Sequence, residues 1–361
     1  MSLKIEKRPE ASELMRWLSP VLAIAGTLMV SAAFFAMLGK SPLAVFYNFF
    51  IAPVQDLYGV TELAVKVAPL LMCASGLIIC YRANIWNIGA EGQFVFGGLI
   101  GGWMGLHFID TQSYWAIVPV MLSGMLAGAC WAGIAALLKV HFNTNEILTT
   151  IMLNYVALNL LQYAVHGPLR DPAGFNFPES AMLSSMTALP VIWPNTRMHL
   201  GIVFAVLCCI LIWVVLSRLH LGFRIRVRGA DEHAARFAGF NANVLTWICL
   251  LASGGLAGFA GVIEVTGPIG QLIPSISPGY GYAAIIVAFL GRLHPFGIIL
   301  SSIMMGLIYL GGELAQMNLN LPIAVTSLFQ GLLLFFILAA DLLVTHRLVW
   351  DSAKGGTVRG S

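Results

Sequence analysis

The stretch Arg82-Ala-Asn-Ile-Trp-Asn-Ile-Gly-Ala-Glu-Gly-Gln93 interrupts a long apolar run, which resumes at Phe94. A second break reads Thr266-Gly-Pro-Ile-Gly270 and then Ser277-Pro-Gly-Tyr-Gly-Tyr282, and it also leads into an apolar segment. Broken helices at matching positions of two oppositely oriented halves are typical of transporters, because irregular backbone at membrane depth must be buried in protein or line a cavity. The simpler alternative is that these glycines only allow close helix packing.

The composition around these breaks is that of a membrane protein. Of the 361 residues 59% are hydrophobic and 10% are charged, against about 25% charged in a soluble domain, which excludes a water-soluble globular enzyme. A transmembrane helix needs about 20 apolar residues, and the run at 279–291 is shorter, so it is either a half-helix or extends backward through 274–278. The ten candidate spans lie at about 17–38, 63–81, 89–109, 114–138, 147–165, 199–217, 243–264, 279–291, 295–312 and 323–342.

The basic residues predict the orientation of these spans. If the N-terminus is cytoplasmic and all ten runs cross, 15 of the 19 Lys and Arg residues lie inside, and only Lys40, Arg170 and Arg197 lie outside. The positive-inside rule therefore favours an all-α polytopic protein with both termini in the cytoplasm and two inverted halves. The predicted parts are an inner segment 1–16, a single transmembrane domain 17–342 with an inner loop 218–242 and an outer loop 166–198, and an inner tail 343–361.

Polar and aromatic residues near the spans are candidates for a solute pathway, since a charge at mid-membrane is costly. Glu91 and Glu146 are near helix starts, where capping is an equal alternative. Asn154, Asn159 and Gln162 share one face of the fifth span, with interhelical hydrogen bonding as the alternative. The aromatic residues at the breaks can stack on a nucleobase or sugar, although anchoring and packing are their commoner uses. The pathway candidates are Trp86, Asn87, Glu91, Phe94, Asn154, Tyr155, Asn159, Glu264, Tyr280 and Tyr282.

The longest inner connection runs from Arg218 to Asn241. Asp231 is placed to cap a short helix over 232–238, which Gly239 would end. The helix presents alanines small enough to sit in a partner's groove. A loop lying on anionic lipid is the alternative, but it explains the arginines of this loop and not a capped helix.

Four motifs resemble the ATP-binding-cassette (ABC) importer permeases of the ribose and branched-chain amino-acid type, and within them the nucleoside permease branch. The resemblance covers about residues 15–345. The start of the coupling segment differs from the expected Arg-Ala-Val-Gly-Glu-Asn-Pro pattern, because this chain has Arg226-Val-Arg-Gly-Ala-Asp-Glu232. The four motifs are Asn87-Ile-Gly-Ala-Glu-Gly-Gln93, Asn145-Glu-Ile-Leu-Thr-Thr-Ile-Met-Leu-Asn-Tyr155, the coupling segment 229–241, and Gly279-Tyr-Gly-Tyr282 leading to Leu290-Gly-Arg292.

The resemblance implies a type II-like importer permease of the bacterial inner membrane that passes nucleosides or a related sugar-containing solute inward. It further implies partner ATPase subunits or a fused double ATPase, an external solute-binding protein or lipoprotein, and a second permease chain, a heterodimer being expected before a homodimer. ATP and Mg²⁺ would be used by the partner, and this chain would bind no cofactor, metal or nucleic acid. The expected ATPase-coupling residues are Arg228, Gly229, Asp231, Glu232, Ala234, Ala235, Arg236, Ala238 and Gly239.

No complete catalytic motif in the sequence favours an enzyme over this interpretation. Gly39-Lys40-Ser41 supplies the tail of a phosphate-binding loop, but Phe34 stands where the first glycine is required. The six cysteines lie in apolar stretches without metal spacing, so no catalytic residue is expected. Two alternatives remain open: a stand-alone secondary transporter or channel that uses Glu91 or Glu264, and a structural membrane subunit.

Overall fold

The computed structural model describes residues 2–7 and 13–351. Parts of the predicted inner segment 1–16 and inner tail 343–361 therefore lie outside the described residues. The helices are α1 (Glu13–Met37), α2 (Pro42–Phe50), α3 (Leu57–Arg82), α4 (Ala90–His107), α5 (Ile117–Phe142), α6 (Glu146–His166), α7 (Gly201–Arg218), α8 (His220–Ala230), α9 (Glu232–Phe237), α10 (Ala242–Glu264), α11 (Tyr280–Leu290), α12 (Pro295–Leu319) and α13 (Ala324–Thr345). Short 3₁₀ turns cover Ala52–Val54 and Tyr114–Ala116, a π-helical turn covers Val265–Ile269, and strands β1 and β2 cover Ser2–Lys7 and His346–Asp351.

Each of the ten apolar runs coincides with a helix. Seven helices of the described part are long and apolar enough to cross a membrane. The run at 279–291 forms only the 11-residue α11 and does not extend backward through the prolines. At 1.5 Å per residue α11 is about 16 Å long, which is half of a hydrocarbon core of about 30 Å. The half-helix alternative is therefore the one observed.

The chain divides into two compact units. The smaller comprises Met1–Tyr47 and Leu319–Ser361. In it α1 packs on α13, with Gly26 facing the ring of Phe336, and β1 pairs antiparallel with β2 from Ser2 opposite Asp351 to Lys7 opposite His346. This short ladder departs from the all-α expectation.

The larger unit, Asn48–Asn318, has α4, α5 and α10 at its centre. Glycines let these helices touch along their backbones. A Cβ on Gly97 would lie 2.3 Å from the Cα of Gly258, and one on Gly128 would lie 2.4 Å from the carbonyl oxygen of Gly254. Small residues at such crossings replace the hydrophobic driving force that is missing between helices in lipid. The packing alternative therefore holds for these four glycines, which lie outside both breaks.

The inner loop contains two helices where the sequence predicted one. Arg224, Arg226 and Arg228 alternate with apolar residues, yet all three lie in α8. The predicted capped helix is present as α9, where the Asp231 side chain accepts hydrogen bonds from the amides of His233 and Ala234.

Candidate translocation and coupling sites

The two breaks meet inside the larger unit. Gly281, at the start of α11, donates its amide to a carboxylate oxygen of Glu91, at the start of α4, at 2.7 Å. A Cβ on Gly281 would lie 2.2 Å from the backbone nitrogen of Glu91. Only glycine fits at this contact, so the amino ends of α4 and α11 abut here.

Buried polar groups cap the start of α11. Gly279 adopts a left-handed conformation with φ of 97°, and the Ser277 hydroxyl accepts the amides of Gly279 and Tyr280 at 3.1 Å each. Glu91 accepts the next amide, that of Gly281, at 2.7 Å. A carboxylate at the positive end of a helix is favourable. Glu91 thus caps α11, whereas the capping alternative placed it at the start of its own helix.

Asn87 holds the inner break, residues 83–89, together. Its side chain is fully buried and donates to Gln93 and Ser253 at 3.0 Å each, while its oxygen accepts the Gly89 amide at 2.9 Å. Tyr81 donates its hydroxyl to the Asn87 carbonyl at 3.0 Å. Side chains therefore satisfy the irregular backbone that this break brings into the membrane.

Asn154 of α6 connects the inner break to α11. Its amide donates to the Ile88 carbonyl at 2.9 Å and to the Tyr282 hydroxyl at 3.2 Å, and its oxygen accepts the Gly92 amide at 2.8 Å. The Asn154 side chain is buried, and both its nitrogen and its oxygen make hydrogen bonds within the chain. This favours the hydrogen-bonding alternative over direct contact with a solute.

Burial separates the predicted pathway residues into two groups. Tyr280 is buried with its ring 6.0 Å from that of Phe94, edge to face, and 5.3 Å from that of Tyr309. The expectation that Tyr280 and Phe94 face a solute is therefore wrong for this conformation, because both rings pack in the core. The buried candidates are Asn87, Glu91, Phe94, Asn154, Glu264 and Tyr280.

The other candidates lie on an open surface. Trp86, Tyr155 and Tyr282 are 40%, 57% and 39% exposed, and Asn159 is exposed beside them on α6. Trp86 stacks on Phe289 at 6.0 Å, and Phe289 lies two turns from Tyr282 on the same face of α11. Tyr155 follows Asn154 on α6, and the Asn154 amide donates to the Tyr282 hydroxyl at 3.2 Å. We call Trp86, Tyr155, Tyr282 and Phe289 the aromatic surface.

The outer break, residues 265–279, is held by the outer loop and α6. Backbone hydrogen bonds of 2.8–2.9 Å join Ser180 to Leu272, Leu183 to Gly270, and Leu189 to Thr266. Gln162 of α6 donates to the Pro274 carbonyl at 2.8 Å. The outer loop is therefore ordered against the break.

Ion pairs lie near the outer end of α3. The Arg197 guanidinium binds both carboxylate oxygens of Glu62, and this hydrogen bonding raises the pKa of Arg197 further above its ordinary value. Lys66 pairs with Glu313 at 2.8 Å. Glu264 is buried, and one of its carboxylate oxygens has no hydrogen-bond partner among the described residues. Lys66 and Arg197 are each already paired with another carboxylate.

The inner loop presents a mixed charged and apolar tip. Asp231, Glu232, Ala234, Arg236, Ala238 and Gly239 are all exposed, and Arg236 pairs with Glu232 at 2.7 Å. Phe237, which is not among the predicted coupling residues, is 97% exposed. Phe237 lies between Arg236 and Ala238 on this tip, and its exposure was not predictable from the sequence because burial depends on tertiary packing.

Two predicted coupling residues face inward instead. Ala235 is fully buried against its own chain. The buried Arg228 guanidinium donates to the Ala83 carbonyl at 2.6 Å and to the Thr246 hydroxyl at 3.1 Å. The expected polar contact of Arg228 with an ATPase and the expected seating of Ala235 in its groove are therefore corrected. Free carbonyls at the end of α3 attract the guanidinium.

Residues 59–338 match the sequence family described as the permease component of the branched-chain amino acid transport system. The chain belongs to this permease family. The match includes both breaks and the inner loop, and it confirms the family that the four motifs indicated. The permease is therefore a multi-pass membrane subunit of ABC importers and not an enzyme.

Two relatives align along nearly the whole permease, and a third aligns along two thirds of it. It is 29% identical to the glucose ABC transporter permease protein TsgB13 of Haloferax volcanii over 96% of this chain and 93% of the relative. It is 28% identical to the guanosine ABC transporter permease protein NupP of Bacillus subtilis over 89% of this chain and 92% of the relative. A second guanosine ABC transporter permease protein of Bacillus subtilis, NupQ, is 24% identical over 67% of this chain and 77% of the relative.

Proposed function

We propose that the permease carries nucleosides or a related sugar-containing solute across the membrane, with the aromatic surface lining the path. The observation that carries this proposal is the open aromatic surface beside the point where the amino ends of α4 and α11 meet. Aromatic rings stack on the flat face of a base or on the apolar face of a sugar. The names of the guanosine and glucose permeases support the same two solute classes.

A second permease chain would complete the path. The exposed residues of α6 recur with helical spacing at Leu148, Met152, Tyr155 and Tyr163, so one apolar stripe of this helix has no neighbour within the described chain. Two distinct Bacillus subtilis proteins named as guanosine permeases both resemble this chain. A heterodimer is therefore proposed, with the α6 stripes of the two permeases facing each other.

Partner ATPases would drive the movement through the inner loop. Phe237 and Ala234 offer an apolar patch, and Asp231, Glu232 and Arg236 offer polar contacts around it. Such a patch with a polar rim has the composition of a protein interface. ATP-driven closure of the two ATPases would displace α8 and α9 and open the path to one side at a time.

The proposed orientation has both termini in the cytoplasm and ten crossings, in which the outer break and the half-helix α11 together make one crossing. The pairing of β1 with β2 supports termini on one side of the membrane, since the two strands could not pair across it. The bias of Lys and Arg toward one side supports the cytoplasmic assignment.

Reconstitution tests the proposed function. The permease would be placed in proteoliposomes with its second permease, its ATPase and the binding protein, and radiolabelled nucleosides and monosaccharides would be offered outside. We expect uptake that requires both ATP and the binding protein and that selects the ligand retained by that protein. Uptake driven by a proton or sodium gradient without ATP would overturn the proposal in favour of a secondary transporter.

A further inference from the structure

Two arginines connect the inner loop to the half-helix α11. The first is Arg228, whose guanidinium bonds the Ala83 carbonyl just after α3. Beside it, Gly229 lies so close to the end of α3 that a Cβ there would sit 1.9 Å from the Arg82 carbonyl oxygen. The α8–α9 segment therefore contacts the chain at residues 82 and 83, where the inner break begins.

The second arginine continues the connection. Arg82 donates through Nε to the Leu293 carbonyl at 2.8 Å, and Leu293 lies in the turn that follows α11. Tyr81 also stacks on Phe289 at 5.2 Å between ring centroids. The end of α3 therefore contacts α11 through this ring pair and contacts the following turn through the Arg82 hydrogen bond.

The turn that Arg82 holds is strained. Arg292 and Leu293 have φ of 57° and 51°, in the left-handed region that non-glycine residues rarely adopt. Such conformations persist only when neighbouring groups hold them, and they are often found in switch regions. Gly291 and Gly297 add a close backbone approach, because a Cβ on Gly297 would lie 2.2 Å from the Gly291 carbonyl oxygen.

At its other end α11 is capped by Glu91 and carries Tyr282 into the aromatic surface. A displacement of α8 and α9 would reach Tyr282 through groups that touch at every step: Arg228, the end of α3, Arg82, Leu293 and α11. Because α11 is a half-helix between two irregular segments, it can tilt without breaking the hydrogen bonds of a full span.

We infer that Arg228 and Arg82 form a two-arginine relay that transmits movement of the inner loop to α11 and hence to the solute path. The inference rests on the proposed function and assigns both arginines as positioning residues that touch neither ATP nor solute. A physical connection alone does not establish coupling, which needs evidence that both ends change together.

The ratio of solute imported to ATP hydrolysed tests the relay in the reconstituted transporter. We expect Arg228→Ala and Arg82→Ala each to lower this ratio about tenfold while the ATPase still co-purifies with the permease. The double variant should be no worse than the more impaired single variant, since both residues act in one connection. Arg226→Ala is the matched control, because the Arg226 guanidinium bonds the Leu216 carbonyl of α7, and its ratio should equal that of the wild type.

A wild-type measurement covers the case in which the variants do not insert. Hydrogen exchange would be compared between the nucleotide-free and the nucleotide-trapped transporter. We expect the amides of residues 288–294 to change their exchange rates severalfold together with those of residues 228–238. Unchanged exchange at 288–294 while the inner loop responds, or normal ratios in inserted Arg82→Ala and Arg228→Ala variants, would overturn the relay. A wild-type transporter without ATP-dependent uptake would instead overturn the proposed function.

Discussion

The inner break (83–89) and the outer break (265–279) solve the same physical problem in different ways. The inner break is short, and side chains bind its backbone: Asn87 accepts the Gly89 amide, and Asn154 donates to the Ile88 carbonyl. The outer break is long, and backbone groups of the outer loop pair with it, as Ser180 does with Leu272. A buried side-chain network fixes one geometry, whereas a segment paired with a surface loop can move with that loop. The comparison therefore assigns the inner break as the fixed element and the outer break as the adjustable one.

The largest expected effect is at the point where the breaks meet. Gly281→Ala places a Cβ 2.2 Å from the Glu91 nitrogen, which forces α4 and α11 apart. Overpacking of this kind costs about 1–3 kcal/mol, and we expect the upper end because the obstacle is backbone. Thermal unfolding of the purified permease in detergent would measure it.

A glycine in open space provides the control for this substitution. A Cβ on Gly331 of α13 would have no other atom within 4 Å, and alanine is the better helix former by about 1 kcal/mol. Gly331→Ala should therefore leave the unfolding temperature unchanged or raise it. Equal unfolding temperatures for the Gly281→Ala and Gly331→Ala variants would contradict the contact between the breaks.

Removing the polar centre of the inner break should have the next largest effect. Asn87→Ala leaves Gln93, Ser253 and the Gly89 amide without this partner, and each buried group left unsatisfied costs about 1–3 kcal/mol. We expect a loss of about 2 kcal/mol in the free energy of unfolding, measured by denaturant titration in detergent. Asn159→Ala, on the exposed face of α6, should change it by less than about 0.5 kcal/mol. A similar loss of unfolding free energy in both variants would contradict the assignment of the inner break as the fixed element.

A smaller, local effect is expected at the outer break. Gln162→Leu removes one hydrogen bond to the Pro274 carbonyl, worth about 1 kcal/mol. Hydrogen exchange of residues 270–279 should accelerate about fivefold, while exchange of residues 83–89 stays as in the wild type. Equal acceleration in both segments would show that the two breaks open together and would remove the distinction between them.

The sequence predicts the features of this fold that are local. The ten apolar runs and the Asp231 cap of α9 each depend on residues within one segment, and all are present. The same local pattern left open whether the run at 279–291 is a half-helix or extends backward through 274–278, and the structure shows the half-helix. The contact between Glu91 and Gly281 joins residues 190 positions apart, and no local pattern specifies how two such segments pack. Burial is equally non-local, so the sequence did not distinguish the core pair Phe94 and Tyr280 from the exposed Trp86 and Tyr282.

Arg228 shows why charge is an incomplete guide to the surface. An arginine in an inner loop is expected to face water or a partner, since burying a charge is costly unless it is hydrogen-bonded. The carbonyl oxygen of Ala83, next to the end of α3, provides such a bond in this case. Phe237 is the converse case, because an apolar residue is exposed where burial is the default.

The central claim is that α11 is a half-helix with one face on the solute path, and cysteine labelling tests it most directly. In a background without the six native cysteines, Tyr282→Cys, Ile285→Cys and Phe289→Cys would place thiols on the proposed face, and Ala284→Cys and Ala288→Cys on the buried face. A small water-soluble thiol reagent should label the first three, with labelling slowed by transported solute, and leave the other two unlabelled. Equal labelling of both faces, or no protection by solute at any position, would contradict the account.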